Sequence, residues 1–468
     1  MQVTEKSSRR RCGFLREALA GSDQDFTQGS LSRAIALLAI PTMLEMAMES
    51  TFGVVDAFWV ARLGADSLAA VGLTEGLVVL VFSIALGLST AATATVARRT
   101  GEKDHDGASA AAGQAVVCGA AVGIATGVAG VFLAGRLLGL LGAPASVIRA
   151  GSRYTAIVLG GNVAIVLLFL INSVFRGSGD AAAAMRTLWL ANLINIALDP
   201  CFIYGFAFFP RLGVTGAAVA TTIGRSIGVV YQLTVLFRGS SRVRLALRHL
   251  RPNWPVMGRL LRVGSTAMVQ YFVSTASWVS LARINAAFGS AAIAGYTLSL
   301  RIILFALMPS WGIASSAATL VGQNLGARRP DRSERAVWVA GVYNTLFLTA
   351  VAVCFFLAAR PLVALFTADA AVAPVSVVCL RFVSLGYPFY AWGMIMEQAF
   401  NGAGDTATPT WMNLFCYWLL QIPLAWLLAD RFAMGPRGVY LAICVAESVL
   451  AIVGIVWFRR GAWKLATV

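Results

Sequence analysis

The amino-acid sequence predicts an all-α integral membrane protein of twelve transmembrane helices, arranged as two homologous six-helix bundles. Three observations carry that prediction. Hydrophobic residues make up 58% of the 468-residue chain and charged residues only 12%, against roughly 25% charge in a soluble globular domain. Apolar runs long enough to cross a hydrocarbon core about 30 Å thick recur along the whole chain. The hexapeptide FRGSGD at Phe175–Asp180 returns as FNGAGD at Phe400–Asp405, 225 residues later, and fixed-spacing self-similarity in an apolar chain is a mark of transporter folds.

The repeat reaches well beyond the hexapeptide. At the same offset Leu63–Val71 meets Phe288–Tyr296, the small residues of Ser89–Val96 meet Ala314–Val321, and Gly101 lands on Gly326; further on, Leu212–Ala220 meets Met434–Ala442 at an offset of 222. The chain therefore divides into a flexible tail (1–30), an N-lobe (31–240), a linker (241–256), a C-lobe (257–460) and a short tail (461–468).

Six apolar runs fill the first lobe, near 34–58, 68–96, 107–134, 146–174, 185–207 and 212–237, and six fill the second, near 257–284, 290–322, 335–359, 371–402, 409–430 and 436–458. The first begins where the polar, basic N-terminal stretch ends. The fourth and tenth end in the hexapeptides, where glycines permit a tight turn and Asp180 or Asp405 caps the next helix. Pro41, Pro309, Pro388 and Pro423 interrupt spans and remove a backbone donor at each place. An even number of spans per half gives the halves one orientation, so the repeat is parallel and related by a pseudo-two-fold axis.

A net charge of +16 would suit nucleic acid if it formed a patch, but the basic residues instead collect in alternate loops. Lys6, Arg9, Arg10, Arg11, Arg16 and Arg33 lie at the start; Arg98, Arg99 and Lys103, then Arg176 and Arg186, then Arg238 to Arg262, Arg328 to Arg335, and Arg459, Arg460 and Lys464 follow on the same side. This is the positive-inside pattern. It places both termini in the cytoplasm of a multi-pass protein of the plasma (inner) membrane, with lipid rather than nucleic acid as its surroundings. The first thirty residues lack the apolar core of a cleavable signal peptide. Seven cysteines without CxxC spacing and two histidines, His105 and His249, assemble no disulfide framework, zinc motif or catalytic triad. The expectation is no enzyme and no cofactor.

Carboxylates in the middle of apolar runs cost several kcal/mol unless paired, hydrated or protonated, which makes them the candidates for function. Glu45, Glu49 and Asp56 in the first span fall within roughly 40° of one another on a helix of 100° per residue. In the fifth, NLINIALDP sets Asn192, Asn195 and Asp199 along a second stripe. Carboxylate and amide oxygens suit a hard cation or a proton. Asn172 and Tyr154, in the fourth span, would complete a polar pocket. Glu75, Arg225, Arg283, Arg301, Glu397 and Glu447 read as snorkelling or mutually paired charges, Arg225 and Glu447 at equivalent places in the repeat, with Glu397, one turn before FNGAGD, the member closest to function. Pro41 lies upstream of the acidic stripe, where bending would move it. Met43, Met46 and Phe52 are candidates for an adaptable substrate-lining surface.

With these pieces in order, Phe52–Leu73 (FGVVDAFWVARLGADSLAAVGL), FRGSGD, Asn195–Gly205 (NIALDPCFIYG), Leu212–Thr221 (LGVTGAAVAT) and Phe400–Thr406 (FNGAGDT), the chain resembles the multidrug and toxic compound extrusion family of secondary transporters. The resemblance spans almost all of residues 34–460. It implies two six-helix bundles around a V-shaped cavity and an antiporter, expected to be monomeric, that exports drug-like cationic or amphipathic molecules against protons or sodium ions. It also implies a cation site at Asp56, Asp199, Asn195, Asn172 and Tyr154, and a bending helix at Pro41. Glu49 stands where the family commonly has an amide. The acids that one sodium-coupled branch carries on its seventh and tenth helices are replaced by Ser274 and a stretch near Tyr390. The rival expectation is a flippase for lipid-linked or anionic lipid cargo, which would call for basic rather than acidic cavity residues.

Overall fold

The computed structural model describes residues 13–22, 24–63, 65–206 and 209–467; Lys6, Arg9, Arg10, Arg11 and Cys12 lie outside them. Fourteen helical stretches make up the two lobes. The first lobe holds α1 (Leu31–Ala61), α2 (Ala65–Gly101), α3 (His105–Leu140), α4 (Ala145–Gly160), α5 (Asn162–Ser178), α6 (Ala181–Tyr204) and α7 (Val214–Arg238). The second holds α8 (Trp254–Ala286), α9 (Ser290–Gly326), α10 (Pro330–Ala364), α11 (Val372–Leu385), α12 (Tyr387–Ala403), α13 (Ala407–Arg431) and α14 (Pro436–Arg459). Within α13 the backbone widens into π-helical turns at Leu414–Gln421 and Leu427–Arg431.

Two expected spans are broken rather than continuous. Runs 146–174 and 371–402 each fold as two helices, bent by 40° between α4 and α5 and by 58° between α11 and α12. The breaks fall at Gly161 and Gly386, 225 residues apart, so the repeat includes them. Counting each bent pair as one span, eleven of the twelve expected spans among the described residues are long and apolar enough to cross a membrane. The twelfth, α8, has the length, 33 residues, but carries Arg259, Arg262 and Arg283 and packs along α2 of the other lobe.

The lobes meet through α1 on α9, α2 on α8 and α2 on α9. The first two contacts are one contact made twice, because α1 corresponds to α8 and α2 to α9 in the repeat. The backbones come closest where α2 and α9 end. A Cβ on Gly101 would lie 1.9 Å from the Gln323 carbonyl oxygen, and one on Gly326 would lie 2.1 Å from that of Arg98. Only glycine allows that approach.

The hexapeptides build the turn expected of them. Gly179 and Gly404 sit at φ 92° and 89°, the left-handed region that glycine enters without strain. Asp180 Oδ1 accepts from the Ala183 N–H at 3.1 Å, and Asp405 Oδ1 from that of Thr408 at 3.2 Å. The first glycine of each motif lets its helix settle on the lobe's second helix, Gly177 against Thr93 and Gly402 against Ala318.

The ends of α2, α5, α7, α9, α12 and α14 gather with the start of α1 at one basic end of the bundle, and the segments there are packed. Phe26 is 1% exposed, under the Arg242 guanidinium at 4.9 Å. Arg242 donates to the carbonyls of Ser22 and Gln24, Arg329 to that of Thr27 and Arg332 to those of Phe26, Gln28 and Gly29. Residues 24–29 are therefore fastened to the linker through Arg242 and to the C-lobe through Arg329 and Arg332, where the sequence suggested a loose tail. The linker is also held: Gln114 of α3 donates to the carbonyls of His249 and Arg251 at 2.7 and 2.8 Å and accepts from the Asn253 N–H at 2.9 Å.

Candidate functional site

The buried acids of the first lobe form three levels along α1, one for each carboxylate. Nearest the basic end, Glu45 is fully buried. Its Oε1 accepts from Arg176 Nη1 at 2.7 Å and from Asn172 Nδ2 at 2.9 Å. Arg176 and Asn172 are four residues apart and share one face of α5. Gln232 of α7 closes the network by donating to Asn172 Oδ1 at 2.7 Å. Arg176, only 5% exposed, is thus an internal counter-charge rather than the loop cation its place in the hexapeptide suggested.

One turn further, Glu49 Oε2 accepts from Asn192 Nδ2 at 2.9 Å, and its Oε1 lies 3.5 Å from Arg225 Nη2. Phe52, Phe82 and Phe169 surround that guanidinium with ring centroids 5.8–5.9 Å away, within the range of a cation–π attraction. Arg225 is an ion-pairing group, as expected, but its partner is the helix-1 acid. Glu447, at the equivalent place in the second lobe, meets no basic side chain among the described residues.

The third level is different in kind. Asp199 is fully buried, and neither of its carboxylate oxygens has a hydrogen-bond partner; Asp56 Oδ1 and Asn195 Oδ1 are likewise buried and unpartnered. Asp56 and Asp199 are close enough to repel each other electrostatically, and Tyr154, 7% exposed, stands within the field of both. Asn195 shares the α6 face with Asp199 and donates to Thr221 Oγ1 at 2.8 Å, while its amide oxygen is left without a partner. Unsatisfied buried oxygens are rare in folded proteins and call for a specific cause. Here the donor set, two carboxylates and one amide oxygen, fits a hard cation or a proton.

The structure thus brings Asp56, Asp199 and Tyr154 within one electrostatic neighbourhood, which Glu75 and Arg225 also reach, while Asn195 shares the α6 face of Asp199, Asn172 serves Glu45 and Asn192 serves Glu49. Pro41 lies inside α1, which runs unbroken from Leu31 to Ala61. Met43 abuts Gly312 of α9, Met46 is 4% exposed and Phe52 belongs to the ring of aromatics around Arg225. Between the lobes, Ser89, Thr90 and Arg176 face Tyr271, Trp311 and Gln398 across a cavity of about 30 Å³, about the room for one water. Sequence reasoning missed Arg176, Gln232 and Thr221 as polar partners. The four-residue spacing of Asn172 and Arg176 was the available sign for the first.

The MatE family model matches residues 41–201 and 265–427. A probable multidrug resistance protein, NorM, of Thermotoga maritima is 26% identical over 439 residues, which is 93% of each chain. Crystal structures described as MATE in the straight and in the bent conformation are 28% and 27% identical, with TM-scores of 0.88 and 0.86; each match covers 94% of this chain, and 98% and 97% of those chains.

Proposed function

The chain belongs to the MatE family of membrane transporters, and from that premise we propose that it is a cation-coupled antiporter that exports amphipathic, often cationic, small molecules by alternating access. The observation that carries the reading is the third level of the first lobe: Asp56, Asp199 and Asn195 present buried oxygens with no partner, beside two levels whose acids are each held by an arginine and an amide, with only Glu45 Oε2 left over. Such a site is incomplete without a positive charge. A proton or a sodium ion supplies it, and cation entry and release then alternate with movement of drug.

The bound cation would relieve the repulsion between Asp56 and Asp199 and let α1 and α6 approach. A ligand shifts a conformational equilibrium only through its different affinity for the two states. Bending of α1 at Pro41, where a backbone donor is missing, is the proposed response. The similar proteins crystallised with straight and bent conformations support a cycle of that kind. The basic end is the cytoplasmic face in this reading, with both termini inside.

Export of a fluorescent cationic dye from proteoliposomes tests the assignment. Asp56→Asn and Asp199→Asn should each abolish gradient-driven export while leaving a folded protein. Unimpaired export with normal ion coupling in either variant would remove the site from the mechanism. Imposing a pH jump and a sodium jump separately, and reading dye release, identifies the ion.

A further inference from the structure

We propose that Glu397 and Glu447 form a second cation site, in the C-lobe, that takes one positive charge, a proton or a sodium ion, between two carboxylates. It requires no role for Asp56 or Asp199.

The geometry begins with α12 and α14, which pack together. Glu447 is 3% exposed, and its Oε1 is buried without a partner; Oε1 of Glu397 is in the same condition. A Cβ on Gly393 would lie 3.8 Å from Glu447 Oε2. Gly393 is one turn before Glu397 on α12, so the Glu447 carboxylate is aimed at the helix face that carries Glu397. The two acids act on each other electrostatically. Asn413 of α13 stands beside Glu397, and Tyr417 beside Glu447. Tyr417 lies in the π-helical turns Leu414–Gln421, a rare backbone form that is frequent at functional sites.

Among the described residues, nothing around the pair supplies a counter-charge. The titratable groups that face it are Tyr271 of α8, Tyr390 of α12, Cys416 and Tyr417 of α13 and Cys444 of α14, none of them cationic. No basic side chain among the described residues comes within salt-bridge distance of either glutamate. Two carboxylates at close quarters in a low-dielectric interior do not both stay charged without a cation. The donors on hand are oxygens, which suit a hard ion or a shared proton.

The repeat sharpens the point. At the offset of 225 Glu397 corresponds to Asn172, and at 222 Glu447 corresponds to Arg225. Where the first lobe has a fixed guanidinium and an amide, the second has two acids. A permanent internal cation in one lobe is matched by room for an exchangeable one in the other.

Infrared difference spectroscopy on the full-length protein carrying Asp56→Asn and Asp199→Asn tests this without reliance on transport. Stepping the pH upward, or adding sodium chloride at fixed pH, should remove a protonated-carboxyl band that survives in this background. Adding Glu447→Gln should abolish the response. A response to pH alone names the proton, and one to sodium as well names both ions. Spectra unchanged by Glu447→Gln would overturn the site. Glu447→Gln alone in the otherwise native protein is the second measure: it removes a charge at nearly constant shape, so its thermal midpoint should exceed the parent's in alkaline buffer and the difference should narrow on acidification or with sodium. Identical midpoints throughout would also overturn the site. Because the spectroscopic arms lack both N-lobe aspartates, failure of the export assignment leaves this result standing, and the reverse holds.

Discussion

The two lobes share one scaffold and differ in how they treat buried charge. The first lobe binds two of its helix-1 acids to arginines, Glu45 to Arg176 at 2.7 Å and Glu49 to Arg225 at 3.5 Å, and leaves Asp56 and Asp199 unmatched. The second has Glu397 and Glu447 and, among the described residues, no arginine against either. The positions that set backbone distance, by contrast, map one to one: Gly101 with Gly326, Gly161 with Gly386, Gly177 with Gly402, Arg98 with Gln323. The repeat therefore preserves close approach of helices, where a single added carbon would be felt, and lets the charges diverge, since each charge needs only a local answer.

The comparison breaks most visibly at Arg176. Removing one member of a buried pair leaves an uncompensated charge and costs about 3–5 kcal/mol, whereas replacing both members by apolar residues of similar size is often neutral. Arg176→Ala should therefore lower unfolding free energy in detergent by about that amount, and the double variant Glu45→Met, Arg176→Met should recover most of it. A loss under about 1 kcal/mol, the size of an exposed pair, would move Glu45 from the structural acids to the exchangeable ones.

Much of this arrangement was legible in the chain. Spans were visible because an apolar run of sufficient length has few other uses, and Asp56 and Asp199 stood out because carboxylates have no cheap place inside such a run. The left-handed turns at Gly179 and Gly404 followed from glycine chemistry. What stayed hidden depends on neighbours far away in sequence. Arg176 sits two residues from the end of α5 and looked like a loop cation; only the reach of its side chain to Glu45 of α1 shows it to be an internal counter-charge. The kinks at Gly161 and Gly386 leave no composition signal, because the apolar run continues through both. Phe26 anchors a segment that reads as polar tail, and its fastening by Arg242, Arg329 and Arg332 involves backbone carbonyls, which carry no sequence signature. Glu397 and Glu447 are fifty residues apart and read as separate charges until α12 and α14 are side by side.

The shared scaffold can be tested by breaking it on each side of the pseudo-axis. Gly101→Val and Gly326→Val place side chains against the carbonyls of Gln323 and Arg98, which are backbone atoms and cannot swing away. Overpacking of this kind costs typically about 1–3 kcal/mol, and the two substitutions should cost similar amounts, because the contacts are the same contact seen from either lobe. Unfolding midpoints for the two variants check this. A large loss for one and none for the other would show that the lobes, although alike in sequence spacing, do not bear equally on their junction.

The smallest expected effect concerns the segment that joins the lobes at their basic end. Asp25 is exposed, and although partial desolvation works against its charge, the Thr27 hydroxyl at 2.6 Å, the Thr27 N–H at 2.9 Å and the nearby Lys103 and Arg242 outweigh this and hold its carboxyl below the ordinary range. A carboxyl whose folded pKa lies below its unfolded value of about 3.9 contributes stability that is fully present above that value and lost as the pH falls through the folded one. Between neutral pH and about pH 5 the segment should therefore keep its protection, and below about pH 4 it should loosen. Asp25→Asn should raise amide exchange in residues 24–29 roughly twofold at neutral pH, in keeping with the 0–1 kcal/mol of a solvent-facing ion pair, and should remove the acid dependence. The same measurement on Arg242→Ala and Arg329→Ala separates the linker's share from that of the C-lobe. Equal loosening means that linker and C-lobe both hold the segment, and loosening by only one assigns it to that part alone.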